Sequence, residues 1–236
     1  MNFNDYIYPF TTEMISGYFD KLDLKEKTVL TVGSSIDQGL NALLLGAKNV
    51  TVFDINPNIE AFFEQKRKLI LSKTRNELYD AVLESNFSYT QKDIFSKKAV
   101  MLMNTYLNSN QQYENLREKL ENCDISFVIG DIFEMEESGI EEKFDRIILS
   151  NALQYLPIYA DNSFILRNFD TWNDHLEDEG ILQLLYLYSY QPNFVDKKNL
   201  KILNALHSKP LEIEKFYDSY FNVSDAIVTY KKTKRR

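Results

Sequence analysis

The sequence predicts an α/β fold with a mostly parallel, seven-stranded sheet and helices on both faces. Apolar segments bounded by turn residues alternate along the chain with segments of helical periodicity. Within the apolar segments the apolar side chains run together and do not alternate with polar ones, which is typical of strands buried on both faces. Strands of this kind, alternating with helices, favour a parallel sheet covered on both sides.

The predicted strands cover residues 28–33, 50–54, 125–131, 144–151 and 180–190. Helical patterns cover 36–46, 57 to about 84, about 110–121, about 158–177 and 196–207. The segments LEIEKFY and AIVTYKK, near the end, are two further strand candidates that we expect to close the sheet as an antiparallel pair. The length of 236 residues and the 44% of apolar residues fit one domain, residues 1–236.

The interval between the second and third strands is unusually long. It runs from Asp54 to Asp131, whereas a simple crossover needs about a dozen residues and its loops. The segment that follows Asn58 carries apolar residues at helical spacing and many charges elsewhere. We therefore predict a helical insert at about 57–121.

Composition disfavours several classes of partner. The formal charge is −8 although the final KKTKRR is strongly basic, so the rest of the chain is more acidic still and would repel phosphate backbones. Nucleic acid is therefore an unfavoured partner, and we expect the tail to be solvated. The single Cys123 excludes a disulfide framework, and His175 and His207 lack the spacing of metal ligands, so no metal is predicted. With no secretory signal and no apolar segment long enough for a bilayer, we expect a cytoplasmic protein.

The stretch KTVLTVGSSIDQGLNALLLGAKNVTVFDIN, residues 27–56, predicts a strand, a tight turn, a helix and a strand. Gly33 permits an unusual backbone and lets a ligand approach closely. Ser35 stands three residues before Gln38, the spacing of a capping box, which would leave free N–H groups facing an anion. Gly46 is expected to end the helix as the C′ glycine.

The turn lacks the residues that two common classes of phosphate-binding site require, and this limits which anion it can hold. No Gly-Lys-Ser/Thr sequence follows, as a phosphate-binding P-loop requires, and Ser35 and Gln38 replace glycines of the dinucleotide motif. Asp37 would repel a pyrophosphate, but its carboxylate suits an ammonium group beside a bound carboxylate. An amino-acid zwitterion meets both conditions.

Two further carboxylates follow neighbouring strands. Asp54 ends the second strand where a carboxylate can accept hydrogen bonds from both ribose hydroxyls, and Asp131 is placed to accept one from an amine such as that of adenine. Each acid alone is as readily explained as a helix cap or a turn residue. Together with a zwitterion site, the two carboxylates predict S-adenosylmethionine as the cofactor.

The order of these parts resembles the class I S-adenosylmethionine-dependent methyltransferase fold, which is Rossmann-like. Thr31, Ser35 and Asp37 replace the acid and later glycines of its usual first motif. A closer resemblance is to the betaine-lipid 3-amino-3-carboxypropyltransferase-like family, through SSIDQGLNALLLG, DINP at 54–57, the long insert, and the sequence Leu149-Ser150-Asn151.

These resemblances imply a set of site residues. Those expected to contact the cofactor are Gly33, Ser34, Ser35, Asp37, Gln38, Asp54, Asn56, Asp131, Ile132 and Ser150. Asn151 and Tyr155, after the fourth strand, are expected to position the acceptor as catalytic residues, although a helix cap and a core aromatic explain them equally well. The N-terminal YIYPFTTEMISGYF either crosses the cofactor mouth as a helix or packs against the insert, and the second interpretation is favoured.

The function expected from the sequence is that of an S-adenosylmethionine-dependent transferase. Methyl transfer to a small molecule or another non-nucleic-acid acceptor is favoured. Transfer of the 3-amino-3-carboxypropyl group to a lipid or small molecule is an alternative, and a non-catalytic cofactor-binding or regulatory module is another. The sequence specifies neither the acceptor nor the oligomeric state.

Overall fold

A computed structural model describes residues 7–85, 95–122, 125–193, 195–218 and 220–234. Tyr6, Cys123 and the last two arginines of the basic tail, which entered the predictions above, lie outside these ranges, as does part of the predicted insert. Lys232, within the tail, is buried, and its Nζ donates to the carbonyl oxygens of Asn173 and Leu176 at 2.6 Å each. The tail is thus docked at its start, contrary to the expectation of a solvated segment.

The described part of the chain forms one sheet of seven strands. They are β1 (Thr28–Val32), β2 (Asn49–Asp54), β3 (Ser126–Ile129), β4 (Phe144–Ile148), β5 (Leu176–Leu187), β6 (Leu211–Asp218) and β7 (Val223–Lys231). The spatial order is β3-β2-β1-β4-β5-β7-β6. Neighbours among β1 to β5 pair in parallel, and β7 pairs antiparallel with both β5 and β6, so the sheet is mixed. The predicted α/β sheet and its antiparallel closure are confirmed.

Helices connect these strands. They are α1 (Asp37–Leu44), α2 (Ile59–Ser72), α3 (Arg75–Leu83), α4 (Lys97–Met103), α5 (Asn110–Asn122), α6 (Asn162–Asp174) and α7 (Lys197–Ala205). The helical pattern over 57 to about 84 forms two helices, α2 and α3, because Thr74 and Glu77 form a capping box that begins α3 separately. Strand β5 also starts earlier than predicted, at Leu176, where it pairs with Phe144.

Both faces of the sheet are covered. Val29 and Ile148 belong to one buried apolar cluster, while their neighbours Leu30 and Ile147 belong to the other, because successive strand residues point to opposite faces. The first cluster includes residues of α1 to α5 and the second includes residues of α6 and α7. The prediction of helices on both faces is confirmed.

Helix α1 ends just before Gly46, as the sequence predicted. Gly46 has a positive φ of 91°. Its N–H donates to Leu43 O, and the N–H of Ala47 donates to Ala42 O, both at 3.0 Å. This pair of bonds is a Schellman motif, which directs the chain into β2. Across the described ranges, no helix combines the length and apolar character needed to traverse a bilayer.

Candidate functional site

A cavity of about 450 Å³ opens at the carboxyl ends of the parallel strands. Its lining includes residues that follow β1, β2, β3 and β4. The chain runs from β1 outward to β2 and β3 on one side, and from β4 to β5 on the other, so strand order reverses between β1 and β4. Such a switch point is where open α/β sheets bind ligands, and the volume lies in the range of small-molecule sites.

The structure brings most predicted site residues to this cavity. Those that line it are Ser34, Gln38, Asp54, Asp131, Ile132, Ser150, Asn151 and Tyr155. Gly33, Ser35, Asp37 and Asn56 are not among the lining residues.

The turn between β1 and α1 has a strained backbone, and a buried side chain holds it in place. Ser34 and Ile36 have positive φ values of 48° and 67°. For a β-branched residue such as Ile36 this conformation is a real outlier, and its complete burial in the core holds it there. Strain of this kind is concentrated at ligand sites and switch regions. The turn is therefore fixed by packing rather than by local preference.

The predicted capping box at Ser35 and Gln38 does not form. The residue before α1 is Ile36, which has no side chain able to accept a hydrogen bond. Ser35 Oγ accepts instead from Asp37 N at 3.3 Å, and Gln38 Nε2 donates away from the turn, to Ser150 Oγ at 3.2 Å. Gln38 is thus a cavity residue and not a cap.

Backbone hydrogen bonds hold the side chain of Asp54 against the turn between β1 and α1. Its Oδ2 accepts from Ser34 N and its Oδ1 from Asn56 N, both at 2.7 Å. A β-carbon on Gly33 would lie 2.4 Å from Asp54 Oδ2, so glycine is required here for close approach and not for a positive φ. Burial raises the pKa of Asp54, and the two backbone hydrogen bonds oppose the shift. A carboxylate has about four lone-pair sites, so two remain for a ligand.

Asp131 and its neighbours form the wall beyond β3. Asp131 Oδ1 accepts from Phe133 N at 2.9 Å, which caps the 3₁₀ helix Ile132–Ser138. Ile132, Phe133 and Phe53 give this part of the cavity an apolar surface. The wall suits a flat apolar group with a polar edge near Asp131.

The carboxylate of Asp37 is buried outside the cavity lining, contrary to the predicted contact with a ligand ammonium group. It is 0% exposed, and its carboxylate accepts from Thr11 N at 2.6 Å, Lys66 Nζ at 2.7 Å and Tyr106 Oη at 2.8 Å. The ammonium group that Asp37 meets is that of Lys66 in α2, so direct contact with a ligand ammonium is not supported. Sequence reasoning missed this because Lys66 is 29 positions away.

Ser35 and Asn56 are also below the cavity surface. Lys66 Nζ donates to Ser35 O at 2.9 Å, and Asn56 Oδ1 accepts from Asn58 N at 2.9 Å. Both residues are buried and shape the loops that carry Ser34 and Asp54. Their predicted contact with a cofactor stays a prediction, and neither residue is among those that line the cavity.

The loop after β4 carries Ser150, which has a positive φ of 57°. Its N–H donates to Gln183 Oε1 at 2.7 Å, and its hydroxyl donates to Glu13. Beside it, Asn151 Nδ2 donates to Tyr188 Oη at 3.0 Å. Tyr155 is 46% exposed at the mouth.

The N-terminal segment forms one side of the cavity, which the favoured sequence interpretation did not anticipate. Tyr8, Thr11, Thr12 and Glu13 all line it, and the hydroxyls of Tyr8 and Tyr155 are 3.1 Å apart. In the described part of this segment, helical structure is limited to short 3₁₀ turns from Ile15 onward. The available signal was a lone carboxylate within the apolar and aromatic stretch around TTEMI.

Glu13 is the most perturbed acid of the cavity. It is 1% exposed, and Tyr18 Oη donates to its Oε2 at 2.8 Å. Burial raises the pKa of Glu13 to about 7, and hydrogen bonds from Ser150 and Tyr18 oppose the shift. A carboxyl group that titrates near neutrality in a cavity is a functional-site candidate.

The charged side chains of the lining are all acidic. They are Glu13, Asp54 and Asp131, and no lysine, arginine or histidine of the described ranges lines the cavity. Such a site attracts cations and repels phosphate groups. Among the described residues, no group of three or more His, Cys, Asp and Glu is arranged to hold a metal.

Comparisons with known proteins give structural likeness only. No protein-family model matches the chain, and no curated protein is significantly similar to it. The N-methyltransferase NodS from Bradyrhizobium japonicum WM9, in complex with S-adenosyl-L-homocysteine, is similar with a TM-score of 0.48 and 12% identity, over 92% of this chain and 85% of that one.

Two more solved structures are similar over most of their length. For the ribosomal protein L11 methylase from Lactobacillus delbrueckii subsp. bulgaricus, the TM-score is 0.44 and the identity 15%, over 90% of this chain and 74% of that one. For an rRNA methylase from Streptococcus thermophilus, the TM-score is 0.45 and the identity 10%, over 90% of both chains.

Proposed function

We propose that this protein is an S-adenosylmethionine-dependent transferase whose reaction is methyl transfer. The observation that carries the proposal is the acid-lined cavity at the switch point of the sheet, with Asp54 locked at the end of β2. A ligand that fits this cavity would contain a nucleoside, carry a positive charge and have no phosphate group. S-adenosylmethionine meets these conditions, whereas dinucleotides and nucleoside triphosphates do not.

The residues present fit the parts of this cofactor. The free lone pairs of Asp54 suit the two ribose hydroxyls, and the apolar wall of Phe53, Ile132 and Phe133 suits the purine. Asp131 is at that wall and suits the exocyclic amine. In this proposal Ser34, Gln38 and Ser150 contact the remainder of the cofactor.

The bound cofactor supplies a methyl carbon on a sulfonium, a group already activated for in-line displacement. The task of the protein is therefore orientation, which is worth roughly 7 to 11 kcal/mol in favourable systems. We assign the positioning of the acceptor to Asn151 and Tyr155, because both are at the mouth and hydrogen-bond to tyrosines of neighbouring elements. The acceptor is proposed to be a small molecule or a lipid, since an acidic lining disfavours a polyphosphate chain.

We also propose that the chain is a single domain with a helical insert. Residues 1–236 would form one cofactor-binding domain, and residues 57–121 a helical insert that packs beside α1. Contact between Lys66 of α2 and the β1–α1 turn supports a role for this insert in shaping the site.

Calorimetric titration with S-adenosylmethionine, followed by incubation with cell extract and chromatography of the products, tests the function. We expect binding and the formation of S-adenosylhomocysteine. Methylthioadenosine as the product would instead identify aminocarboxypropyl transfer. Binding without either product would identify a non-catalytic module, and no binding would refute the proposal.

A further inference from the structure

Glu13 is a buried carboxyl group that forms no ion pair with any residue in the described part of the chain. Its hydrogen-bond donors are the hydroxyls of Ser150 and Tyr18 and the side-chain amide of Gln38. Burying a carboxylate without a cationic partner is costly, so the group is expected to hold a proton when the cavity is empty. Glu13 is also one of the residues that line the cavity.

The side-chain oxygen of the neighbouring Gln38 has no hydrogen-bond donor among the described residues. Its Nε2 faces Ser150 Oγ, but its buried Oε1 accepts no hydrogen bond from the described residues, although the side chain is 2% exposed. Buried polar atoms are normally satisfied, so an orphaned acceptor in a cavity indicates a missing donor. Glu13 and Gln38 are hydrogen-bonded to each other and both contact Ser150 Oγ, and both side chains belong to the lining of the cavity.

The other described groups that face Glu13 add no positive charge. Tyr18, Tyr186 and Tyr188 have pKa values raised by burial, so they stay neutral. Asp225 lies behind Tyr186, which donates to it, and the charge of Asp225 further raises the pKa of Glu13. A cation that enters the cavity would therefore be the first to offset the charge of Glu13.

We propose that Glu13 and Gln38 form an ammonium-binding subsite that releases a proton when a ligand binds. Resting on the proposed function, the subsite would receive the α-ammonium group of S-adenosylmethionine. An ammonium fits better than the sulfonium because the orphaned Gln38 oxygen needs an N–H donor, which a sulfonium lacks. The role that the sequence gave to Asp37 is thus assigned to a residue of the N-terminal segment.

Proton release on binding tests the subsite directly. The apparent enthalpy of binding is measured at pH 6 and pH 7 in two buffers of different ionisation enthalpy, with S-adenosylmethionine, S-adenosylhomocysteine and methylthioadenosine as ligands. With the pKa of Glu13 at about 7, we expect about half a proton released at pH 7, and close to one at pH 6, for the first two ligands. Methylthioadenosine has no ammonium group and should release none.

The variant Glu13→Gln keeps the shape of the side chain but cannot ionise. We expect it to abolish the release, to weaken both ammonium-bearing ligands about tenfold or more, and to leave methylthioadenosine binding unchanged, which also reports that the variant is folded. Glu134→Gln, the same change at an exposed residue outside the lining, should behave as wild type.

Each other outcome contradicts the subsite. Binding without release, or equal release with methylthioadenosine, overturns it while the cofactor assignment stands. Release with S-adenosylmethionine but not with S-adenosylhomocysteine places the sulfonium, and not the ammonium, against Glu13. Absence of binding by all three ligands refutes the cofactor assignment and the subsite together.

Discussion

Among single residues, Glu13 couples the stability of the protein to pH. Its pKa is raised from 4.5 to about 7 by burial, so the folded state holds a proton that the unfolded state has lost between these values. For a raised carboxyl pKa, the contribution to stability is complete below pH 4.5 and declines as the pH rises through 7. The ligand-free protein is thus least stable where a cationic ligand binds Glu13 best.

We expect the free energy of unfolding to fall by about 3 kcal/mol between pH 4.5 and pH 8 because of Glu13. Urea denaturation across this range, with wild type and Glu13→Gln, measures the effect. The variant should lose less stability with rising pH than the wild type does. Parallel curves for the two proteins would show that folding does not raise the pKa of Glu13.

Asp54 is the second residue with a measurable role. We expect Asp54→Ala to weaken S-adenosylmethionine binding by about 10- to 100-fold, since each hydrogen bond to a charged group is worth about 1.5 to 3 kcal/mol. Titration calorimetry gives the affinity. Asp145→Ala is a matched control, because Asp145 also accepts from the backbone of β1, from Thr28 N at 2.9 Å, but at the opposite end of the strand. Unchanged affinity in Asp54→Ala would contradict the ribose role.

At the level of elements, Lys66 connects three parts of the site. From α2, its Nζ donates to Asp37 at the start of α1, to Ser35 O in the turn, and to Pro9 O in the N-terminal segment at 2.9 Å. All three ammonium protons are used, and both side chains of the ion pair are 0% exposed. Burial lowers the pKa of Lys66, and the neighbouring Asp37 carboxylate opposes the shift.

Lys66→Met is expected to cost about 3 to 5 kcal/mol, because it leaves Asp37 buried without its cation. The same substitution at Lys21, whose ion pair with Glu214 is 30% and 50% exposed, should cost below about 1 kcal/mol. Urea denaturation of both variants makes the comparison. Equal losses would mean that burial adds nothing to the Lys66 pair.

For the whole molecule, the site is a junction between the sheet and the N-terminal segment. Strand ends supply Asp54, Asp131 and Ser150, while the N-terminal segment supplies Glu13. A ligand that filled the cavity would contact residues from all of these segments, so we expect its binding to stabilise the complete fold and not one loop.

We expect S-adenosylmethionine at about 100 times its dissociation constant to stabilise the protein by about 2.7 kcal/mol, seen as a higher melting temperature. NAD⁺ at the same concentration should have no effect, because its pyrophosphate would face an acidic lining. Thermal unfolding with each ligand measures this. Equal stabilisation by NAD⁺ would contradict the electrostatic argument.

The local patterns of the sequence predicted much of the fold. Runs of apolar residues located the strands, and Gly46 located the end of α1, because both signals depend on neighbouring residues alone. The same reasoning brought Asp54, Asp131 and Ser150 to one edge, since the ends of parallel strands meet there. It failed at Ser35 and Gln38, whose spacing suggested a cap but whose partners are Lys66 and Ser150.

The sequence by itself determined the α/β sheet, its antiparallel closure and the edge where a ligand would bind. Only the tertiary structure decided that Glu13, and not Asp37, faces the cavity. Asp37 and Glu13 are both buried carboxyl groups, and they differ because Lys66, distant in sequence, neutralises the first while no described cation reaches the second. The charge state of a buried group depends on its neighbours in space, and residue order does not specify them.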